Sequence, residues 1–156
     1  MVLTPDETAK LIKEEKRRLL VAGSICGTLE VGGKKLLDYV VDMAKLTDTP
    51  IAATGSTMFQ LKDNKEVKAK KMMAADLVNF LRVEKWEEPL TPERPELLVF
   101  LGFYPEVARM LVSTIGDQKT MVLDNRYFDS ATYSAPDLSF EQWAEFLNKT
   151  IDNLGK

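Results

Sequence analysis

Apolar residues in this chain fall into short unbroken runs, separated by stretches in which they recur every three or four positions. Leu97, Leu98, Val99, Phe100 and Leu101 form an uncharged run closed by Gly102 and Phe103, the pattern of a strand covered on both faces. Pro105 and Glu106 then open a segment with Val107, Met110, Leu111 and Ile115 at helical spacing. Proline suits a first helical turn, and an acid suits the positive end of the helix dipole. A second apolar run follows at 120–123 and stops at Asp124 and Asn125. Strand, helix and strand in this order make a right-handed crossover between parallel strands, which sets the architecture that the other segments should repeat.

From the amino end, Thr4, Pro5 and Glu7 read as an N-cap, a first-turn proline and a capping-box acid, with a helix running to about Arg17. The basic group Lys13, Lys16, Arg17 and Arg18 complements the carboxyl end of that helix or forms a docking surface. A first strand at 19–22 ends in Gly23 and Ser24, and a loop through Gly27 leads to a helix at 35–45 whose stripe is Leu36, Leu37, Val40, Val41 and Ala44. A second strand at 51–53 ends in the small residues Thr54, Gly55, Ser56 and Thr57. Residues 60–68 read as loop, 69–73 as a third strand crowded by Lys68, Lys70 and Lys71, and 74–81 as a helix with Leu77, Val78, Phe80 and Leu81 inward. Residues 84–95, with three prolines and Trp86, make a surface connection back to the central run. After Asp124 comes an aromatic loop, 126–133, and then a last helix capped by Ser139 and Gln142. Its buried face is Phe140, Trp143, Phe146, Leu147, Ile151 and Leu154. The sum is an α/β protein with a doubly wound, mostly parallel sheet of five or six strands and helices on both faces.

Length changes this picture little: 156 residues fit one domain, taken here as 1–156. Charge and composition exclude more. A net charge of −3 gives no reason to expect nucleic acid, no apolar run approaches the roughly 20 residues of a membrane span, and residues 1–18 lack the apolar middle of a secretion signal. A cytoplasmic protein is expected. The chain has no His and one Cys, so neither a Cys/His zinc site, a cysteine-ligated iron–sulfur cluster nor a His-dependent triad can be built from it alone. Cys26 reads as a small, partly buried residue rather than a reactive thiol.

A doubly wound sheet binds its ligands outside the carboxyl ends of its strands. The candidates are therefore Gly23, Ser24, Thr54, Gly55, Ser56, Gly102, Phe103, Asp124 and Asn125, with no catalytic or metal-binding set among them. Glycines and hydroxyls suit a phosphate approached by backbone N–H groups, and the same residue types make ordinary strand-end turns. Neither G-x-G-x-x-G nor G-x-x-x-x-G-K-[ST] occurs, which argues against a standard NAD site and a P-loop. In the loop after Asp124, Arg126, Tyr127, Phe128 and Tyr133 are of types enriched at interfaces, and aromatics in such loops also pack on their own domain.

The runs Arg18-Leu19-Leu20-Val21-Ala22-Gly23, Pro50 to Ser56, Leu98 to Gly102 and Leu123 to Leu138, in this order and spacing, resemble the epsilon subunit of the archaeal acetyl-CoA decarbonylase/synthase complex of one-carbon metabolism and methanogenesis. Residues 24–27 depart from that pattern. The resemblance implies a Rossmann-like fold, similar to the central domain of thiamine-diphosphate enzymes and to DHS-like NAD/FAD-binding domains. It also implies a non-catalytic accessory subunit in a hetero-oligomer, bound to the large (alpha) nickel-iron carbon monoxide dehydrogenase subunit. Assistance to electron transfer toward flavin is implied as well, with FAD as the cofactor to test. The alternative is a stand-alone flavin or dinucleotide-binding electron-transfer module.

Overall fold

The computed structural model describes residues 1–72, 74–82, 91 and 93–156. Its elements in chain order are α1 (Pro5–Glu14), β1 (Arg18–Ala22), a 3₁₀ turn (Ser24–Gly27), β2 (Glu30–Val31), β3 (Lys34–Lys35), α2 (Leu36–Thr47), β4 (Ile51–Ala53), α3 (Gly55–Leu61) and β5 (Ala69–Lys71). There follow α4 (Ala74–Arg82), β6 (Leu97–Leu101), α5 (Pro105–Thr114), β7 (Lys119–Val122), β8 (Tyr133–Ser134) and α6 (Phe140–Leu154). Six strands form one all-parallel sheet in the order β5-β4-β1-β6-β7-β8, as the doubly wound expectation requires.

Strict alternation along the central strands sorts their side chains between two cores. Leu20 and Ala22 of β1 and Leu97, Val99 and Leu101 of β6 join Ala9 and Ile12 of α1, Leu36 and Val40 of α2 and Trp143 and Leu147 of α6 on one face. Leu19, Val21, Leu98 and Phe100 point the other way and meet Leu77 and Leu81 of α4 and Ala108 and Leu111 of α5. A strand sandwiched between helix layers needs apolar residues at every position, which is why its sequence shows an unbroken run.

Both capping boxes form: Thr4 Oγ1 accepts from Glu7 N, Ser139 Oγ accepts from Gln142 N, and each partner side chain returns the bond. Helix α1 stops at Glu14 rather than near Arg17, because Arg18 is needed in β1. From there its guanidinium donates back to the carbonyls of Ile12 at 3.0 Å and Glu15 at 2.6 Å, to Thr49 Oγ1 at 2.6 Å, and to Thr47 O. One cation thus satisfies the ends of α1 and α2 together, the first of the two roles weighed for the basic group. Lys13 likewise donates to the carbonyls of Asn153 and Lys156 at the end of α6.

Several elements differ from the sequence reading. Residues 28–35 contain a hairpin, β2–β3, turned by Gly32 and Gly33 at φ 65° and 83°; two-residue strands are too short to show a period, but the Gly-Gly pair carries the turn signal. The small residues after β4 begin the short helix α3 rather than a turn, and β8 adds a sixth parallel strand inside the aromatic segment. Phe140 of α6, assigned to its buried face, and Met110 of α5, placed at helical spacing with Val107 and Leu111, are more than half exposed, and Ile115 is the C-cap of α5 rather than part of it. The connection expected at 84–95 lies largely outside the described residues, as do Met73 and the side chain of Phe80. Among the described residues no helix is long and apolar enough to cross a membrane.

Because Arg18 serves carbonyls of two helices, Arg18→Leu is expected to lower unfolding stability by about 2–3 kcal/mol, the scale of charge-assisted hydrogen bonds. Urea unfolding checks this; an unchanged midpoint would show that water replaces the guanidinium without loss.

Candidate functional site at the strand carboxyl ends

Strand order reverses between β1 and β6, which lie side by side with Ala22 opposite Leu101. Their next residues, Gly23 and Gly102, therefore meet at the point where ligands enter folds of this class. The gap there is closed. A Cβ placed on Gly23 would stand 2.3 Å from Gly102 O, and one on Gly102 would stand 2.3 Å from Cys26 Sγ. Gly102 also has φ 86°, a left-handed conformation that only glycine adopts without strain.

The 3₁₀ turn folds back over this contact. Gly23 N donates to Leu101 O at 2.9 Å, Ile25 N to Gly102 O at 3.0 Å, and the Cys26 thiol to Leu101 O at 3.1 Å. From helix α3, Thr57 Oγ1 donates to Gly23 O at 3.0 Å, and Gln60 Nε2 donates to Gly27 O at 3.1 Å. Cys26 is buried, and its thiol is pushed up chiefly by burial and further by the charge of Asp124. It is held as a neutral thiol, the inert form.

Asp124 completes the arrangement. Its Oδ1 accepts from Gly102 N at 2.7 Å and its Oδ2 from Phe103 N at 3.4 Å. Burial raises its pKa to about 7 against the opposing pull of these two N–H groups. The backbone donors expected to hold a pyrophosphate at Gly23 and Gly102 are thus committed within the chain, that of Gly23 to Leu101 O and that of Gly102, with its neighbour Phe103, to a carboxylate that repels phosphate when ionised. The residues present do not fit a dinucleotide laid across these two glycines.

Gly102, Phe103, Asp124 and Asn125 do come together, along one wall of a cleft of ≈ 260 Å³ whose other lining residues include Ile25, Leu29, Pro105, Arg126, Phe128, Phe140 and Trp143. Gly23, Ser24, Thr54, Gly55 and Ser56 do not line it. Thr54 is instead the N-cap of α3 without a side-chain capping bond, and Gly55 and Ser56 lie exposed at the end of β4. The cleft is smaller than the roughly 300–1,000 Å³ of most ligand pockets, so it does not enclose a whole dinucleotide. Trp143 anchors its floor by donating from Nε1 to Leu123 O at 2.8 Å, and Phe140 stacks toward it with ring centroids 6.1 Å apart. The sequence signal for Phe140 was its place directly after the Ser139 cap, where the first turn of a helix projects past the layer it covers.

Of the loop aromatics, Phe128 is buried, under Arg109 and against the second core, whereas Tyr127 is 39% exposed. A hollow of ≈ 180 Å³ at the opposite ends of the strands is lined by Lys16, Arg17, Arg18 and Thr49 among others. Arg18 is structural there, and the carboxyl-end cleft is the candidate site. Among the described residues no group of three or more His, Cys, Asp or Glu is placed to hold a metal ion.

Fold and cleft together define a Rossmann-like α/β protein. No family model matches the chain. It is 33% identical over 155 residues to the acetyl-CoA decarbonylase/synthase complex subunit epsilon 1 of Methanosarcina barkeri, covering 97% of this chain and 88% of that protein. It is 30% identical over 155 residues to subunit epsilon 2 of Methanosarcina mazei, with the same coverage, and 24% identical over 153 residues to subunit epsilon of Methanothermobacter thermautotrophicus, covering 96% and 85%. The chain belongs to the epsilon-subunit family of the acetyl-CoA decarbonylase/synthase complex.

Two predictions separate packing from ligand roles at these positions. Gly102→Ala is expected to destabilise the fold by roughly 2–4 kcal/mol through backbone strain and the clash with Cys26. Gly55→Ala, whose nearest neighbour would be the flexible Lys71 side chain at 3.4 Å, should leave stability unchanged or raise it by up to about 1 kcal/mol. Thermal melts of the two variants check both.

A third prediction concerns pH. The folded-state pKa of Asp124, about 7, lies above the roughly 3.9 of an unfolded Asp, so folding binds its proton more tightly. Its contribution is fully present below about pH 4 and is lost as pH rises through 7. Wild type should therefore lose stability relative to Asp124→Asn between pH 5 and pH 8. A stability difference between the two proteins that does not change with pH would remove Asp124 as the cause.

Proposed function

We propose that this chain is an accessory, non-catalytic subunit of an acetyl-CoA decarbonylase/synthase complex, one that docks on and stabilises the nickel-iron carbon monoxide dehydrogenase subunit. The observation that carries this reading is the near-full-length match to proteins named as subunit epsilon of that complex. The residue inventory agrees with it. With no His and a single buried, hydrogen-bonded Cys, the chain does not supply the soft and imidazole ligands from which nickel and iron centres are built, so these belong on another subunit.

Assistance to electron transfer toward flavin is the finer part of the reading, and it requires the flavin to be held where the chain has uncommitted donors or in contact with the partner. The stand-alone flavin or dinucleotide module draws less support, because Gly23, Ile25, Gly102 and Phe103 direct their N–H groups inward.

The test is to mix the chain with the dehydrogenase subunit of the same organism at micromolar concentration and run size exclusion. Co-elution is expected, with no carbon monoxide oxidation by the isolated chain. Independent migration of the two proteins would overturn the proposal, and flavin absorbance travelling with the chain alone would favour the stand-alone module.

A further inference from the structure

Large side chains that the fold leaves outside lie in the lining of the cleft at the strand carboxyl ends or directly beside its lining residues in the chain. Phe140 is 57% exposed although it belongs to the first turn of α6, Tyr104 is 58% exposed between two lining residues, Phe103 and Pro105, and Tyr127 stands beside Arg126. Exposed aromatics scattered singly need no explanation, but Phe140 and Arg126 both line the cleft itself, and an exposed aromatic with an exposed cation at one concave mouth is the kind of feature that marks an interaction site.

The segment that presents Arg126 and Tyr127 is held in place. Tyr127 N donates to Asp137 Oδ1 at 2.9 Å, and Phe128 N donates to Ser134 Oγ at 2.9 Å. Thr120 and Thr132 exchange two bonds of 3.0 Å across the base of the loop. Phe128, buried beneath, fixes the loop to the second core. Arg126 and Tyr127 are therefore displayed by an ordered loop, and little conformational entropy is left to lose on binding.

Charge identifies what would cover this mouth. Arg126 is exposed at the edge of the cleft and makes no ion pair or side-chain hydrogen bond among the described residues, while the nearby Asp137 carboxylate is engaged by the backbone of the same loop. An unpaired guanidinium beside an aromatic hollow is complementary to a carboxylate flanked by an apolar anchor. The combination of Tyr, Phe and Arg also matches the residue types that dominate interface energetics.

We propose that this rim, with Arg126 and Phe140 in the lining of the cleft and Tyr104 and Tyr127 on the adjoining segments, is the surface through which the chain docks its partner subunit, and that the partner offers a segment with an acidic residue next to an aliphatic or aromatic side chain that enters the cleft. This rests on the docking role proposed above and adds the face and the chemistry of the partner.

The experiment measures binding of the full chain to the dehydrogenase subunit by biolayer interferometry, with melting temperature recorded for every variant. Phe140→Ala and Arg126→Glu should each weaken binding at least tenfold at unchanged melting temperature. Phe59→Ala, which removes an aromatic 68% exposed on α3, should stay within twofold of wild type. Affinity of the wild type should fall with added salt more steeply than that of Arg126→Gln, as loss of one ion pair requires.

Rim variants that bind normally while Phe59→Ala weakens binding would place the interface elsewhere and overturn the assignment, leaving the accessory role intact. A wild-type chain that does not bind the dehydrogenase at all would remove that role, and the assignment with it. If Arg126→Glu binds the subunit normally but loses a melting-temperature rise that flavin adenine dinucleotide gives the wild type, the cleft holds a small ligand and the docking surface is refuted.

Discussion

Strands β1 and β6 are adjacent in the sheet but distant in the chain, and their carboxyl ends approach so closely that neither Gly23 nor Gly102 has room for a Cβ. Everything at this end of the molecule follows from that contact. The left-handed turn at Gly102 aims its N–H away from the sheet toward Asp124, the 3₁₀ turn after Gly23 lays Cys26 over the junction, and α3 secures the same turn through Thr57 and Gln60. Four elements are joined at one point, in a region where doubly wound proteins commonly leave a crevice.

Asp124 occupies, within the chain, the place that an anionic ligand would take. A buried carboxylate is tolerated only if its oxygens are bonded or its proton is retained. Here the two N–H donors supply part of that compensation, and the raised pKa shows that they do not supply all of it. The chain thus keeps the geometry of an anion-binding turn while filling it with its own side chain. The open space is displaced sideways, over β6 and β7, where the walls are aromatic and the cationic group is Arg126 rather than a backbone nest.

That displacement fits the docking role proposed for this chain. A crevice lined with free N–H groups suits small phosphorylated ligands, whereas an aromatic hollow with an exposed arginine on an ordered loop suits a side chain presented by another protein. The same loop illustrates how the two demands are divided between neighbours: Phe128 turns inward and holds the segment to the core, and Tyr127, one residue earlier, remains outside.

The sequence by itself determined the strands and helices that repeat long enough to show a period. The run 97–101, most of the stripes of α2, α5 and α6 and both capping boxes were legible because burial and capping act within a few residues of one another. The family was legible for a related reason, since Leu123 to Leu138 keeps its residues in order and spacing. What only the tertiary structure decided depends on contacts between distant segments. The commitment of the Gly23 and Gly102 N–H groups required β1 to lie beside β6, and the exposure of Phe140 and Met110 required knowing where the underlying layer ends. The cleft required α6 to return across β7, and Arg18 showed its role only when the ends of α1 and α2 were brought to one place. A strand-end glycine reads the same in one dimension whether it makes room for a ligand or for its own chain; here the atoms that fill the space come from 75 residues away, between Cys26 and Leu101.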